Sequence, residues 1–321
     1  MGRFIWHNGE IKPESEAYMS VYDSSIMYGN VFEMLRSFGG NHFKLKEHIE
    51  RLFYSMEYIG MKCPYSVDKL IEECIILSVW NANDFSFDDE HRLYIVCSYG
   101  SLSIYKDVKG VVNGPNIIIT DFPLRWTVQG MGKIFDTGIN AIIPKQRVIP
   151  SNVLDNKAKH HNRLHFLRAN IEAGNYEGEN NWPLLLDGDG NIAEFTGANF
   201  FMVRGNTLFT PRTTHILKGI SREYVRKELC PQLKLNCIEA DLTVYNASFA
   251  DECFATATPF CILPVGSVAG HKIGKNTPGP ITRMLIDQWS ENVGVDIPGQ
   301  IKNWNETDSG DITTSPYRWK K

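Results

Sequence analysis

The chain has 321 residues, with 33 Lys and Arg against 37 Asp and Glu and a formal net charge of −4. That balance leaves no electrostatic footprint for nucleic acid, and 43% hydrophobic with 22% charged residues is the composition of a globular chain. No apolar run approaches the roughly 20 residues that cross a bilayer, and the length suffices for two domains.

The opening MGRFIWHNGEIKPE turns polar too early for a secretory signal, and Trp6 stands where myristoylation needs Ser or Thr. Val31 to Phe38 reads as a strand closed by Gly39-Gly40-Asn41, with His42 to Leu45 returning as its hairpin partner. In KEHIERLFYSMEYIGM, Ile49, Leu52, Phe53, Met56, Ile59 and Gly60 fall on one face at a period of 3.6, which predicts an amphipathic helix. On that period Arg51 points away from the apolar face, as a solvated arginine does. Val67 to Trp80 reads as a second helix, and Leu93 to Tyr99 and Val112 to Asp121 as strands. FPLRWTVQGMGK has no clean period and many turn residues, so a linker is placed at 122–133, between domains 1–121 and 134–321.

Beyond the linker, Arg163 to Ala173 is helical, and Pro183 to Leu186 is an apolar run ended by the turn Asp187-Gly-Asp-Gly-Asn191. Ile192 to Val203 and Thr207 to Phe209 continue as strands around Gly205-Asn206, and Ser221 to Leu229 is a helix with Ser221 as its cap. From about residue 300 the chain is polar and reads as a loose tail. The mixture implies two α+β domains. Seven cysteines, an odd number without a C-x-x-C pair, read as reduced thiols of a cytoplasmic protein.

One stretch concentrates chemistry. NKAKHHNRLHF, residues 156–166, holds two lysines and three histidines. On a helix His161 and His165 would share a face, as zinc ligands do in H-E-x-x-H, but Asn162 stands where that motif needs Glu, and no third ligand is near. No metal is expected. A basic surface patch and one chemically special lysine remain as readings.

The segments that follow decide between them. LLLDGDGNIAEFTGANFFMVRGNTLFTP, ILKGISREYV and FATATPFCILPV occur in that order after the lysines, and YGNVFEMLRSFGG with FKLKEHIERL precedes them. Over roughly residues 4–290 this ordered set resembles the class IV aminotransferases, the fold-type IV pyridoxal-phosphate enzymes. They include branched-chain and D-amino-acid transaminases, (R)-selective amine transaminases and aminodeoxychorismate lyase. The resemblance implies a two-domain α+β enzyme with pyridoxal 5'-phosphate between the domains, acting as a homodimer on an amino donor and a 2-oxo acid by a ping-pong Schiff-base mechanism.

The site residues follow from the same resemblance. Lys159, with Asn162 three residues on, matches the Schiff-base lysine better than Lys157 does. Glu194 matches the carboxylate that keeps the cofactor's ring nitrogen protonated, though a strand Glu facing solvent has the same pattern. Arg51, the backbone N–H groups of Ile220 and Ser221, and Thr258 match the phosphate contacts. Tyr28, Phe32, Arg36 and Tyr94 match the substrate pocket. Three departures bear on the substrate. Ser98-Tyr99-Gly100-Ser101 lacks the arginine and histidine of D-amino-acid transaminases. His160-His161-Asn162-Arg163 replaces the Gly-Gly-Asn-Tyr of branched-chain enzymes, which makes Arg163 a candidate for the cofactor's phenolic oxygen. Pro259 stands where branched-chain enzymes have an N–H for the substrate carboxylate. A branched-chain-like transaminase is the leading expectation. An (R)-selective amine transaminase comes next, then a D-amino-acid transaminase or a lyase.

Overall fold

The computed structural model describes residues 2–307. The chain forms two compact units. The first runs up to Trp126 and takes back Ala158–Arg163, and the second is 127–157 with the chain from Leu164 onward. The segment expected as a linker holds the end of the strand Asn113–Pro123 and a helical turn, Arg125–Val128.

The first unit is a six-stranded antiparallel sheet. Its order is Glu10–Pro13, Phe4–His7, Asn113–Pro123, His91–Gly100, Val31–Phe38, Asn41–His42. The helices Leu45–Tyr58 and Val67–Asn81 share a core with it, in which Ile49, Leu52, Leu70 and Leu77 meet Trp6, Leu35, Ile95 and Ile119. Ile49 and Leu52 are fully buried, each contributing roughly 1.5–3 kcal/mol by leaving water. The hairpin partner expected over 42–45 is only Asn41–His42, because Lys44 takes a left-handed conformation (φ 52°) and starts the helix at Leu45. Ser66 accepts from Lys69 N and caps the second helix.

His42 is anchored in this unit by Ser78 Oγ at 2.8 Å from its Nε2. Burial, then the neighbouring His91, push its imidazole from 6.5 down to about 4. The unfolded chain therefore binds a proton that the folded chain refuses, and stability falls as pH drops from 6.5 toward 4. Between pH 7 and 5 this amounts to about 2 kcal/mol. His42→Gln should flatten the pH dependence of the urea midpoint by that amount, whatever constant cost the substitution carries. His7 and His48, also pushed down chiefly by burial, retain a residual slope of the same sign.

The second unit is built on a nine-stranded sheet. Six of its strands close on themselves in the order Asn199–Arg204, Glu252–Ala257, Cys261–Val268, Ile139–Ile142, Asn181–Leu186, Ile192–Phe195, and the last pairs back to the first through Asn199 and Glu194. Phe201 and Phe254 stack across neighbouring strands with ring centroids 4.8 Å apart. The strand expected to run unbroken from Ile192 to Val203 is two strands, because the chain turns at 196–198. The helix expected with a Ser221 cap starts one residue earlier, at Ile220. Gly219 is its N-cap, and no side chain caps it. It passes through a π turn at Val225–Leu229 and ends at Gln232. The stretch expected as a tail begins inside the helix Ile297–Thr307, where Ile301 and Trp304 are buried. The rest of that stretch, 308–321, lies outside the described residues. None of the seven cysteines forms a disulfide, and among the described residues no helix is long and apolar enough to cross a membrane.

Candidate active site

In the first unit, Lys159 is fixed by its backbone. Its N–H donates to Ser55 Oγ at 3.0 Å, and its carbonyl accepts from Phe32 N at 3.0 Å. His160 bridges to Val31, and His161 N donates to the Asn30 carbonyl at 2.9 Å. The segment thus lies as a short partner along the start of the strand Val31–Phe38. Gly29 (φ +85°) admits it, since a Cβ there would collide with Asn162 Oδ1. The Lys159 amine sits 4.7 Å from the Phe32 ring centroid. The rival lysine, Lys157, pairs with Asp155 at 3.1 Å and its side chain is 40% exposed. His161 lies in this non-helical segment, and His165 in the helix Leu164–Ala173, so they do not share a helical face.

Arg51 does not face solvent as its periodicity predicts. The helix Leu45–Tyr58 buries a second, polar face, on which His48, Arg51 and Ser55 recur every three to four residues. His48 and Arg51 meet Glu33, which has no exposed surface. Arg51 Nε donates to Glu33 Oε1 at 2.6 Å, and Arg51 Nη2 to Glu33 Oε2 at 2.9 Å. His48 Nδ1 donates to Glu33 Oε2 at 2.8 Å. Burial alone would raise the Glu33 carboxyl, but Arg51 and His48 outweigh it and hold it well below the usual carboxylate range. Glu33, His48 and Ser55 escaped the sequence reading. The available signal was a carboxylate in step with Val31 and Leu35 on a core-facing strand, where only a paired charge persists.

Of the expected pocket residues in this unit, Phe32 is 3% exposed and meets Tyr94 edge-on at 5.9 Å. Tyr28 is 64% exposed, at the end of a short helix capped by Asp23. Arg36 has no exposed surface. Its Nε donates to the Ser37 carbonyl, and its guanidinium lies over Phe38. Arg163 Nε donates to the His160 carbonyl at 2.9 Å.

In the second unit, Glu194 is buried rather than facing solvent. Its Oε2 accepts from Asn199 Nδ2 at 3.0 Å and from Leu217 N at 3.1 Å. Asn199 Nδ2 also donates to the Leu217 carbonyl at 2.9 Å, which fixes the amide against the carboxylate. Gly219 follows two residues later, and a Cβ there would collide with Asn199 Oδ1. Gly219→Ala should therefore cost about 1–3 kcal/mol by pushing Asn199 off Glu194, read as a lower urea midpoint. Ile220 and Ser221 open the helix after Gly219, so their N–H groups are among the donors a helix N-terminus leaves without intrahelical partners. Thr258 sits in the three-residue turn Thr258-Pro259-Phe260, closed by the pair Ala257 and Cys261. Two residues before it, the Thr256 hydroxyl is buried with no partner among the described residues.

Among the described residues no group of three His, Cys, Asp or Glu is arranged to hold a metal ion. The chemistry on offer is one confined primary amine, one oriented buried carboxylate, a fixed arginine and the N–H groups of a helix start.

Comparison with known proteins agrees with that inventory. Residues 30–268 match the family described as amino-transferase class IV. A putative branched-chain-amino-acid aminotransferase of Methanocaldococcus jannaschii is 32% identical over 289 residues, covering 89% of this chain and 95% of that protein. The crystal structure of the branched-chain amino acid aminotransferase of Escherichia coli superposes with a TM-score of 0.79 at 27% identity, covering 91% of this chain and 94% of that one. That of Thermobaculum terrenum, in its PLP form, gives 0.76 at 27% identity over 94% of this chain and 97% of that one. The fold is accordingly that of the fold-type IV enzymes. The chain belongs to the class IV aminotransferases, pyridoxal-phosphate enzymes, and is branched-chain-aminotransferase-like.

Proposed function

We propose that the protein is a transaminase that moves the amino group of a branched-chain-like amino acid to a 2-oxo acid, 2-oxoglutarate or pyruvate, in two alternating half-reactions. The observation that carries this reading is the placement of Lys159. Of the two candidate lysines, it is the one whose backbone is tied to distant elements, through Ser55 and Phe32, and whose amine lies against an aromatic ring, whereas Lys157 N bonds locally to Asp155 Oδ1.

The residues fit the cofactor. Lys159 would hold it through Nζ, and Arg51, Ile220, Ser221 and Thr258 would face its phosphate. The partnerless Thr256 hydroxyl is suited to an incoming acceptor. Glu194, turned by Asn199, would keep the ring nitrogen protonated, and Arg163 would face the phenolic oxygen. Bound there, pyridoxal 5'-phosphate supplies a carbonyl that takes up the amino group and a ring that draws electrons from the donor's amine-bearing carbon. Lys159 Nζ would accept the proton released at that carbon and deliver it, within the same half-reaction, to the carbon that had carried the carbonyl; the second half-reaction would run the same transfer in reverse. Tyr28, Phe32, Arg36 and Tyr94 would form the substrate wall.

A second reading, an (R)-selective amine transaminase, is favoured by the turn at Thr258-Pro259. Proline offers no N–H to a substrate carboxylate, so a donor without one loses nothing there. A donor panel of L-leucine, D-alanine, (R)-1-phenylethylamine and aminodeoxychorismate tests both. L-leucine discharging the loaded enzyme fastest supports the first reading, and the aromatic amine doing so replaces it with the second. D-alanine or aminodeoxychorismate as the preferred compound would point to a D-amino-acid transaminase or a lyase.

The protein is further proposed to act as a homodimer in the cytoplasm, where its seven thiols stay reduced. Val21, Ile26 and Met27 are 74%, 64% and 59% exposed, an apolar surface suited to a second copy. Ile26→Glu should shift sedimentation from dimer to monomer.

A further inference from the structure

The aromatic surface beside Lys159 contains a histidine with a defined proton. His161 stacks on Phe32 with centroids 3.8 Å apart and planes 10° from parallel. Its Nδ1 lies 2.6 Å from Asn30 Oδ1, which only accepts, so Nδ1 carries the hydrogen and Nε2 keeps a lone pair. Nε2 lies 3.4 Å from the Tyr94 hydroxyl. Burial, then the charges of Arg163 and Lys159, push the imidazole down to about 4. Burial pushes the Tyr94 phenol up to about 12. Both groups are therefore neutral near pH 7, the phenol as donor and the imidazole as acceptor. Among the described residues His161 is the partner recorded for the Tyr94 hydroxyl.

We propose that His161 is a specificity-determining residue: it takes the Tyr94 hydroxyl hydrogen, withholds it from a carboxylate on the substrate side chain, and so favours donors with apolar side chains over dicarboxylic ones and, because one pocket serves both half-reactions, pyruvate over 2-oxoglutarate as acceptor. The inference rests on the transaminase reading above, with Lys159 as the reacting amine and Tyr94 on the substrate wall. A phenol oxygen whose hydrogen is committed presents only lone pairs, which repel a carboxylate. The stacked faces of Phe32 and His161 add apolar surface beside the amine. The 3.4 Å separation makes the bond a weak one, so the discrimination it gives is moderate.

The test uses the full-length enzyme loaded with pyridoxal 5'-phosphate and follows the first half-reaction with L-leucine and with L-glutamate. His161→Phe keeps a stacking ring and removes the acceptor. It should raise glutamate over leucine in kcat/KM by about three- to fivefold, the lower part of the range for one uncharged hydrogen bond. Asn30→Leu leaves the imidazole in place but frees its tautomer, so that Nε2 can carry the hydrogen and release the phenol's; the ratio should move the same way. In a Tyr94→Phe background neither substitution should change the ratio. A ratio within about twofold of wild type in both variants overturns the proposal, as does an equal shift when Tyr94 is phenylalanine. If His161→Phe does not fold, Asn30→Leu alone decides. Wild-type enzyme that neither donor discharges would sink the transaminase reading and this inference together. Turnover with an unchanged ratio would sink this inference alone.

Discussion

Lys159→Ala should abolish transamination, lowering turnover by at least about 10⁴-fold, because in the proposed mechanism one side chain supplies both the covalent anchor and the proton carrier. The fold should survive, since the bonds that hold this position are made by the backbone N–H and C=O, to Ser55 and Phe32, and alanine keeps both. The control is Lys157→Ala. That side chain is 40% exposed and paired only locally, with Asp155, so its loss should change turnover by no more than about twofold. Borohydride treatment of the loaded wild-type enzyme, followed by peptide mapping, should place the label on Lys159. Full activity in Lys159→Ala, or a label on Lys157, would end the assignment. A small primary amine added to Lys159→Ala should restore part of the proton transfer, whereas a merely structural lysine would not respond to it.

The choice of that lysine rests on the order of motifs around it and on Asn162 three residues on, whereas the elements that carry it can be compared with the fold one by one. Strands with a strong apolar run are legible because burial on both faces leaves an unmistakable composition, as Ile117-Ile118-Ile119 does in the strand Asn113–Pro123. The apolar stripe of the helix Leu45–Tyr58 was legible too, but its polar face was not. His48, Arg51 and Ser55 look solvated in one dimension, and only the fold brings Glu33 and Lys159 to them. The turn that splits Ile192–Val203 is hidden because Gly197 is the single breaker in it, and an isolated glycine inside a strand pattern reads as a bulge as readily as a reversal. Its consequence is chemical, since the reversal brings Asn199 back onto Glu194. The return of Ala158–Arg163 to the first unit is a long-range event that no linear boundary expresses.

Glu33→Gln should be among the most destabilising single changes in the first unit, costing about 3–5 kcal/mol, because it leaves the buried Arg51 fork without its counter-charge. That is a large share of the roughly 5–15 kcal/mol that holds a domain folded. The pH dependence identifies the cause. Glu33 is held below its ordinary 4.5, so its stabilisation is fully present above that value and is lost only as pH falls through the lower folded value. The gap between wild type and Glu33→Gln in urea unfolding should thus stay constant from pH 7 to 5 and close only in stronger acid. A gap under about 1 kcal/mol at pH 7 would mean that the ion pair is not what holds this helix to the strand. Replacing the set together, with Leu at 33 and 48 and Met at 51, should recover much of the lost stability, since well-packed apolar side chains serve as well as a buried charge pair. It should not recover retention of pyridoxal 5'-phosphate, if Arg51 also faces the phosphate. A triple variant that is stable and still holds the cofactor as tightly as wild type would reduce Arg51 to a structural residue and leave the phosphate to the helix start at Ile220 and Ser221.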